Sequence, residues 1–318
     1  MKKKMKISIN ILLLLTCLFI SCNKKNATEP VIQATHLKYF GFTLIDTYWD
    51  DPTDTETKTN YINEVAGFSN MADILVVNPS DNIIERVTTM NILHVKSILH
   101  LNEIFFEQVG TSSPSGVEYD LRSNYQDRWN QFLDINQLQL NKDKIQCLYI
   151  GEEPTWNGIG YNELKSATDY VKSTLPDISI MIIEAYPAID QLQIPNSVDW
   201  VGFDRYFIKN PQTAEDFIGN LNVLKSKFST NTQKLVLVMD AHYISQLHGT
   251  YGGIALNEME EVANNYYALA KSEQKTIALL GYFWPSGFDN SNSIGARNMP
   301  NNVLQNYIRI GKEITKKE

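Results

Sequence analysis

Cysteine is scarce in this chain of 318 residues, which has only Cys17, Cys22 and Cys147. The first two lie in an N-terminal segment that we expect to be removed or modified, so Cys147 stands alone in the remaining chain. The folded part is therefore expected to contain no internal disulfide bond. Because Cys147 lies within an apolar run, we interpret it as a small core residue rather than a nucleophile.

A long membrane-spanning run is also missing. The apolar stretch 7–20 follows four lysines and is interrupted by three polar residues, which makes it too short for a span and typical of an export signal. It ends in Leu-Phe-Ile-Ser-Cys at 18–22, which resembles the lipobox of bacterial lipoproteins. We predict a signal peptide over 1–21, lipidation of Cys22 and a tether over 22–35, which would anchor the protein in the cell envelope outside the cytoplasm. A plain secretory signal is the alternative.

Basic residues are fewer than acidic ones, 28 against 36, and the net charge is −8. Loss of residues 1–21 removes four lysines and no acid, so the mature charge is −12. Phosphate backbones are bound by clustered Lys and Arg, so an excess of acid on this scale argues against nucleic acid as a partner.

Three catalytic signatures are absent. The first strand-like run is followed by Asp-Thr-Tyr-Trp at 46–49, where a dinucleotide fold would have a glycine-rich turn and a metal-dependent amidohydrolase a His-x-His pair. No strand leads into Gly-x-Ser-x-Gly, so a serine hydrolase is not supported. Asp46, His100, Asp240 and His242 could form a metal site of the amidohydrolase type, but the His-x-His pair is missing and the sequence has no other dense ligand motif. We therefore predict neither a metal nor another cofactor.

Apolar strand-like runs and amphipathic helical stretches alternate from residue 36 onward, which favours a single (β/α)8 TIM barrel over 36–318. Only the crossover between the fifth and sixth strands lacks a clear helix. The long irregular stretches 102–120 and 285–300 follow strands and are expected on the catalytic face. The eight predicted strands are 37–45, 73–77, 95–101, 145–151, 179–184, 199–204, 234–239 and 276–283.

Every predicted strand ends in a polar or aromatic group, which is more than loop polarity requires. Carboxylates and amides bind sugar hydroxyls, and aromatic faces stack on sugar rings, so this pattern predicts a carbohydrate cleft. The expected stacking candidates are Trp49, Trp156, Tyr186, Phe283 and Trp284. The expected polar contacts at strand ends are Asp46, Asn78, His100, Asn102, Glu152, Glu184, Asp204 and His242.

The fourth strand ends in two adjacent carboxylates and a proline, Glu152-Glu153-Pro154. Two neighbouring acids cannot both be buried and ionised without cost, so one of them should keep its proton near neutral pH. A protonated carboxyl of this kind is what a general acid needs, and the pattern indicates an enzyme that cleaves glycosidic bonds.

These strand ends resemble those of the clan A glycoside hydrolases, a group of barrel enzymes. Their fourth strand ends in Asn-Glu-Pro, which the resemblance matches to Glu153 as acid/base, with Glu152 in place of Asn. It further implies that Tyr206 orients the second carboxylate and that Trp284 lies under the reacting sugar. Asp240 stands where the group has its Glu nucleophile, so the resemblance implies that Asp240 attacks the anomeric carbon or activates water.

Asp is shorter than Glu by one bond, which would widen the gap between the carboxyls and leaves retention or inversion open. Asp204 and Glu184 are the reserve candidates for the second catalytic role. Glu153 could instead cap the helix that follows it. The alternative function is a glycan-binding protein that has lost catalysis. The oligomeric state is not predicted.

Overall fold

The computed structural model describes residues 36–318. Eight strands of this part of the chain are parallel and follow the order β1-β10-β9-β8-β7-β6-β3-β2 around a nearly closed barrel. They are β1 (Tyr39–Phe42), β2 (Met71–Leu75), β3 (Lys96–His100), β6 (Ile145–Glu152), β7 (Ser179–Ala185), β8 (Trp200–Asp204), β9 (Lys234–Asp240) and β10 (Thr276–Tyr282). A short antiparallel hairpin consists of β4 (Phe106–Gly110) and β5 (Glu118–Leu121).

The first and last strands of that order, β1 and β2, are joined just after the end of β1. Asp46 forms a parallel bridge with Ile74, and its carbonyl accepts the N–H of Leu75 at 3.0 Å. The predicted (β/α)8 barrel is thereby confirmed as one domain over the described residues.

Helices cover the outside of the barrel. Their apolar stripes pack against strands whose two faces are both buried, which is why the strand sequences are continuously apolar. The helices are α1 (Ile62–Val65), α2 (Ile84–Ile92), α3 (Asn102–Phe105), α4 (Tyr125–Ile135), α5 (Leu138–Asn141), α6 (Tyr161–Thr174), α7 (Glu215–Ser226), α8 (Ser245–Thr250), α9 (Met259–Ser272) and α10 (Asn301–Thr315).

The inside of the barrel holds a second, smaller apolar cluster that includes Met71, Ile98, Met181 and Val236. Cys147 is buried in this cluster, in agreement with the prediction of a core residue. Burial raises the pKa of its thiol far above the usual range, so the thiol is a poor nucleophile.

The structure differs from the sequence prediction in the segment 102–120. Instead of an irregular loop it contains α3 and the β4–β5 hairpin. The hairpin side chains are mostly exposed or half-buried, and their sequence lacks the apolar alternation that predicts strands. Arg122 ties the hairpin down, since its Nε donates to the carbonyl of Phe106 at 2.9 Å.

The crossover from β7 to β8 is as short as predicted, with a single 3-10 turn at Tyr186–Ala188 and no α-helix. None of the helices in the described residues has the length and apolarity needed to cross a membrane. The predictions for 1–21, Cys22 and 22–35 fall outside the described residues.

Candidate active site

A cleft of about 620 Å³ opens at the carboxyl ends of the barrel strands, the face where barrels of this type carry their chemistry. Both apolar and polar groups line it, as is usual for a ligand site. The lining residues include Thr43, Thr47, Tyr48, Trp49, Asp73, His100, Glu103, Glu152, Glu153, Asp204, Tyr206, Tyr282, Phe288 and Asp289.

The centre of the cleft holds a pair of carboxyl groups, Glu153 after β6 and Asp204 at the end of β8. The two carboxyl groups lie within hydrogen-bond reach of each other, and a hydrogen bond between them requires that they share a proton. Burial and the charge of Glu153 raise the pKa of Asp204 well above its usual range. Burial, with help from the charges of Glu152 and Asp289, raises the pKa of Glu153 to about 6. The pair therefore retains one proton at mildly acidic pH.

The backbone at Glu153 is strained. Its φ is +45°, a left-handed conformation that a glutamate seldom adopts, and such strain is found where a side chain must be held in a special position. Its N–H donates to the carbonyl of Ile183 at 2.7 Å, which ties the turn to β7. The turn thereby aims the Glu153 side chain into the cleft.

Glu184, near the end of β7, stabilises the turn that follows Glu153 from the side away from the cleft. Its carboxylate is fully buried and accepts the backbone N–H groups of Thr155 at 2.8 Å and Trp156 at 3.1 Å. Burial raises the pKa of Glu184 to about 7 in spite of these donors. The side chain does not line the cleft, so the structure places this predicted sugar contact behind Glu153 rather than beside a ligand.

Glu152 and His100 form a second polar unit in the cleft. Nε2 of His100 lies 3.0 Å from Oε2 of Glu152, although the angles are not those of a well-aligned hydrogen bond. Partial desolvation in the cleft disfavours both charged forms, although the Glu152 side chain is 48% exposed, and the mutual attraction raises the pKa of His100 and lowers that of Glu152 overall. Both predicted substrate contacts thus lie side by side in the cleft.

Asp73 lies close to His100 and was missed by the sequence analysis. Its carboxylate accepts the N–H groups of Leu44 at 2.9 Å and Ile45 at 2.8 Å, and burial raises its pKa to about 6. The predicted strand 73–77 was two residues too late, because β2 spans Met71–Leu75. The shift makes Asp73 a strand residue that points into the barrel mouth instead of a residue that starts the strand.

Tyr206 lines the cleft next to the carboxyl pair. Its hydroxyl lies 3.5 Å from Oδ2 of Asp204, at the limit of a hydrogen bond, and its ring stacks on Tyr282 with 5.1 Å between the centroids. The structure brings it to Asp204 and not to Asp240, the partner that the resemblance implied.

Asp240 does not line the cleft. It is fully buried at the end of β9, where it accepts the N–H of Phe207 at 2.8 Å and a hydrogen bond from Nε2 of His248 at 3.1 Å. Burial opposes ionisation, but these donors and His242 lower the pKa of Asp240 overall. Its position does not fit the predicted attack on a sugar in the cleft.

His242 and His248 lie against Asp240, and the three offer ligand atoms within 4.8 Å of one another. Metal binding needs a lone pair on each ligating nitrogen. Ile244 donates its N–H to Nδ1 of His248 at 2.9 Å, which places the proton of that ring on Nε2, facing Asp240. Nδ1 of His242 faces two acceptors, the Tyr282 carbonyl at 3.2 Å and Asp240 at 3.3 Å. Hydrogen bonds thus account for this cluster without a metal.

Trp284, predicted to lie under the reacting sugar, is only 2 % exposed. Its ring packs edge-on to Phe42 at 4.9 Å, and Nε1 donates to Oε2 of Glu64 at 2.6 Å. No face of the ring is open to a ligand. Trp49 instead lines the cleft, packed edge-on against Phe288 at 5.1 Å. Trp49 was among the predicted stacking residues, whereas Phe288 was not.

Of the other predicted contacts, Asn102 lines the cleft, whereas Asp46, Tyr186 and His242 lie outside it. Asp46 is buried in an ion pair with Nε of Arg86 at 2.7 Å. Tyr186 is exposed beneath the guanidinium of Arg205, and His242 is buried against Phe283. Asp289, which lines the cleft and accepts a hydrogen bond from Tyr282 at 2.9 Å, was missed because it lies in the middle of a loop with no strand to predict its position.

Comparison with solved structures places the fold among glycoside hydrolases. Native xylanase 10B from Thermotoga maritima has a TM-score of 0.56 at 12% identity, covering 88% of this chain and 97% of that one. The GH113 β-mannanase AaManA from Alicyclobacillus acidocaldarius has a TM-score of 0.56 at 13% identity, with 89% and 99% covered. An Anoxybacillus α-amylase has a TM-score of 0.57 at 10% identity, with 89% and 79% covered.

No protein-family model and no curated protein sequence matches the chain. The likeness therefore establishes the glycosidase-like barrel fold, while the family within it stays a prediction.

Proposed function

We propose that the protein is a glycoside hydrolase that cleaves a poly- or oligosaccharide outside the cytoplasm. The observation that carries this proposal is the hydrogen-bonded carboxyl pair of Glu153 and Asp204 in an open cleft. Glu153 donates the shared proton to the leaving glycosidic oxygen, and Asp204 keeps that proton available by raising the cost of ionising both groups.

A second carboxylate is needed to attack the sugar or to activate water. Two carboxyls in direct hydrogen-bond contact are closer than the 5–5.5 Å or more that separates such a pair in glycosidases, so Asp204 does not fit this role. Asp73 and Glu152 are engaged by backbone N–H groups and by His100, respectively. We assign the second role to Asp289, whose carboxylate lines the cleft and is held by the hydroxyl of Tyr282.

The proposed anchor is a lipid on Cys22, with residues 22–35 as the tether, so the catalytic domain would work at a membrane surface of the cell envelope. Globomycin-sensitive processing of the full chain, together with loss of membrane association in Cys22→Ala, tests this part separately. The lipid anchor would be contradicted if Cys22→Ser were fully processed and both it and wild type were found in the soluble fraction.

The activity is tested by a reducing-end assay with residues 23–318 on a broad panel of polysaccharides and oligosaccharides. Wild type is compared with Glu153→Gln, and both are repeated in EDTA. Release of reducing ends that survives EDTA and disappears in Glu153→Gln supports the proposal. Release that is equal in both proteins contradicts it.

A glycan-binding protein without catalysis is the second candidate. It is favoured by one observation, the burial of Asp240 at the strand end where the resembling enzymes carry their nucleophile. Binding of a glycan in the panel without any release of reducing ends would select this function.

A further inference from the structure

We propose that the loop after β1 forms a subsite for an uncharged sugar unit, next to the unit held at Glu153. The loop residues Thr43, Thr47, Tyr48 and Trp49 line one side of the cleft and are called the β1 wall below. The inference rests on the proposed function, since it assigns part of the same cleft to the same class of ligand.

The β1 wall has a fixed aromatic surface. Nε1 of Trp49 donates to the carbonyl of Ser286 at 2.9 Å, and the ring packs edge-on against Phe288. Both aromatic residues line the cleft, which makes them the pair on which the apolar face of a sugar ring can stack. The hydrogen bond holds the indole in place before a ligand arrives, so little entropy is lost on binding.

The β1 wall also has hydroxyl groups in need of a partner. Oγ1 of Thr43 and Oγ1 of Thr47 are buried and make no hydrogen bond within residues 36–318, and Thr47 is only 7% exposed. A buried hydroxyl without a partner is unfavourable. A change of one χ1 rotamer exchanges hydroxyl and methyl, and would turn each oxygen toward a sugar hydroxyl in the cleft.

The charge of the lining restricts the sugar. In the described part of the chain, the groups that line the cleft include six carboxylates, one histidine and no Lys or Arg. Uronic acids and sulfated sugars would meet like charge with no Lys or Arg to pair with, so the subsite is expected to take neutral units. The six carboxylates belong to Asp73, Glu103, Glu152, Glu153, Asp204 and Asp289.

Affinity gel electrophoresis tests the subsite in the non-hydrolysing Glu153→Gln background. The gels contain either neutral polymers (mixed-linkage β-glucan, arabinoxylan, galactomannan, starch) or anionic ones (polygalacturonate, alginate). We expect at least one neutral polymer and no anionic one to retard the protein. Adding Trp49→Ala or Thr47→Val should weaken that affinity at least fivefold.

Thr276→Val is the matched control. Oγ1 of Thr276 is likewise buried without a partner, but the residue starts β10 at the opposite end of the barrel from the cleft. This variant should bind within twofold of its parent. Thr47→Val should also leave Tm unlowered, because it removes a hydroxyl that has no partner in the protein, whereas loss of a structural hydrogen bond would lower Tm.

Retardation by an anionic polymer, none by any neutral polymer, or unchanged affinity in both Trp49→Ala and Thr47→Val would overturn the subsite. The reducing-end assay on wild type is scored separately. Hydrolysis together with unchanged binding in the variants overturns only the subsite. Loss of binding in the variants without any hydrolysis by wild type supports the subsite and overturns only the enzymatic proposal.

Discussion

Two carboxyl sites lie at the same end of the barrel, and their pKa values are shifted in opposite directions. Glu153 and Asp204 face each other in the cleft, and the pKa values of both are raised, chiefly by burial. Asp240 at the end of β9 is more deeply buried than Glu153, yet its pKa is lowered. Burial alone therefore does not decide whether a carboxyl in this barrel keeps its proton.

The difference lies in the hydrogen-bond donors. Asp240 accepts from a backbone N–H and from His248, and it has His242 beside it, so its charge is fully solvated by the protein. Glu153 has another carboxyl as its partner, which can donate only if one of the two is protonated. The first arrangement suits a structural anion and the second a proton donor.

The largest effect is expected at the carboxyl pair. Glu153→Gln keeps the size of the side chain but has no proton to donate, so kcat should fall about 10²- to 10⁴-fold. Initial rates of reducing-end release on the substrate found in the panel measure this. Glu107→Gln, an exposed acid of the hairpin, is the control and should keep the wild-type rate. Comparable rates in the two variants would remove Glu153 from the mechanism.

Asp240 should instead control stability. Asp240→Ala leaves the N–H of Phe207 and Nε2 of His248 without their acceptor, and we expect a loss of about 3 kcal/mol in the free energy of unfolding. Urea denaturation measures it.

The control for that experiment is Asp216→Ala, which removes a surface ion pair with Arg205 and should cost less than about 1 kcal/mol. Abolished turnover in Asp240→Ala with wild-type stability would restore the catalytic role that the resemblance implied.

The contrast between the two groups marks the limit of sequence reasoning here. The eight strands were predictable because both faces of each are buried, which makes their sequences continuously apolar. The position of Glu153 was predictable for the same reason, since a proline and two acids end an apolar strand.

Side-chain direction was not predictable. Asp240 ends β9 and His242 lies just beyond it, much as Glu152 ends β6 and Glu153 follows, but only the second pair points into the cleft. The donors that hold Asp240 come from Phe207 and His248, and neither is distinguished in the sequence. Asp289 lies in a loop whose course no local pattern determines.

The two tryptophans at this end of the barrel offer the same kind of contrast. Trp284 belongs to the core and Trp49 to the cleft, so Trp284→Phe should cost about 1.5–3 kcal/mol in stability through loss of the hydrogen bond to charged Glu64. Its glycan affinity should stay within twofold of wild type. Chemical denaturation and affinity electrophoresis measure the two quantities, and a large loss of affinity at unchanged stability would return Trp284 to the binding site.

The smallest effect concerns pH. A carboxyl whose pKa is higher in the folded than in the unfolded protein stabilises the fold below its unfolded pKa, near 4.5 for Glu153, and this contribution is lost as pH rises through about 6. For Glu153 it is on the order of 1–2 kcal/mol. Asp240, with a lowered pKa, contributes stability that is lost only at more acid pH.

Tm measured from pH 4.5 to 8 separates the two groups. Wild type should lose stability across this range, partly through Glu184 and Asp73, whose pKa values are raised to about 7 and about 6. Asp204→Asn should flatten the slope, because it removes the Asp204 carboxyl, whose own raised pKa makes the fold less stable as pH rises. Asp240→Asn should lower Tm at every pH and leave the slope unchanged. If Asp204→Asn and wild type have parallel curves, the carboxyl pair does not hold a shared proton, and the proton source proposed for catalysis must be sought elsewhere in the cleft.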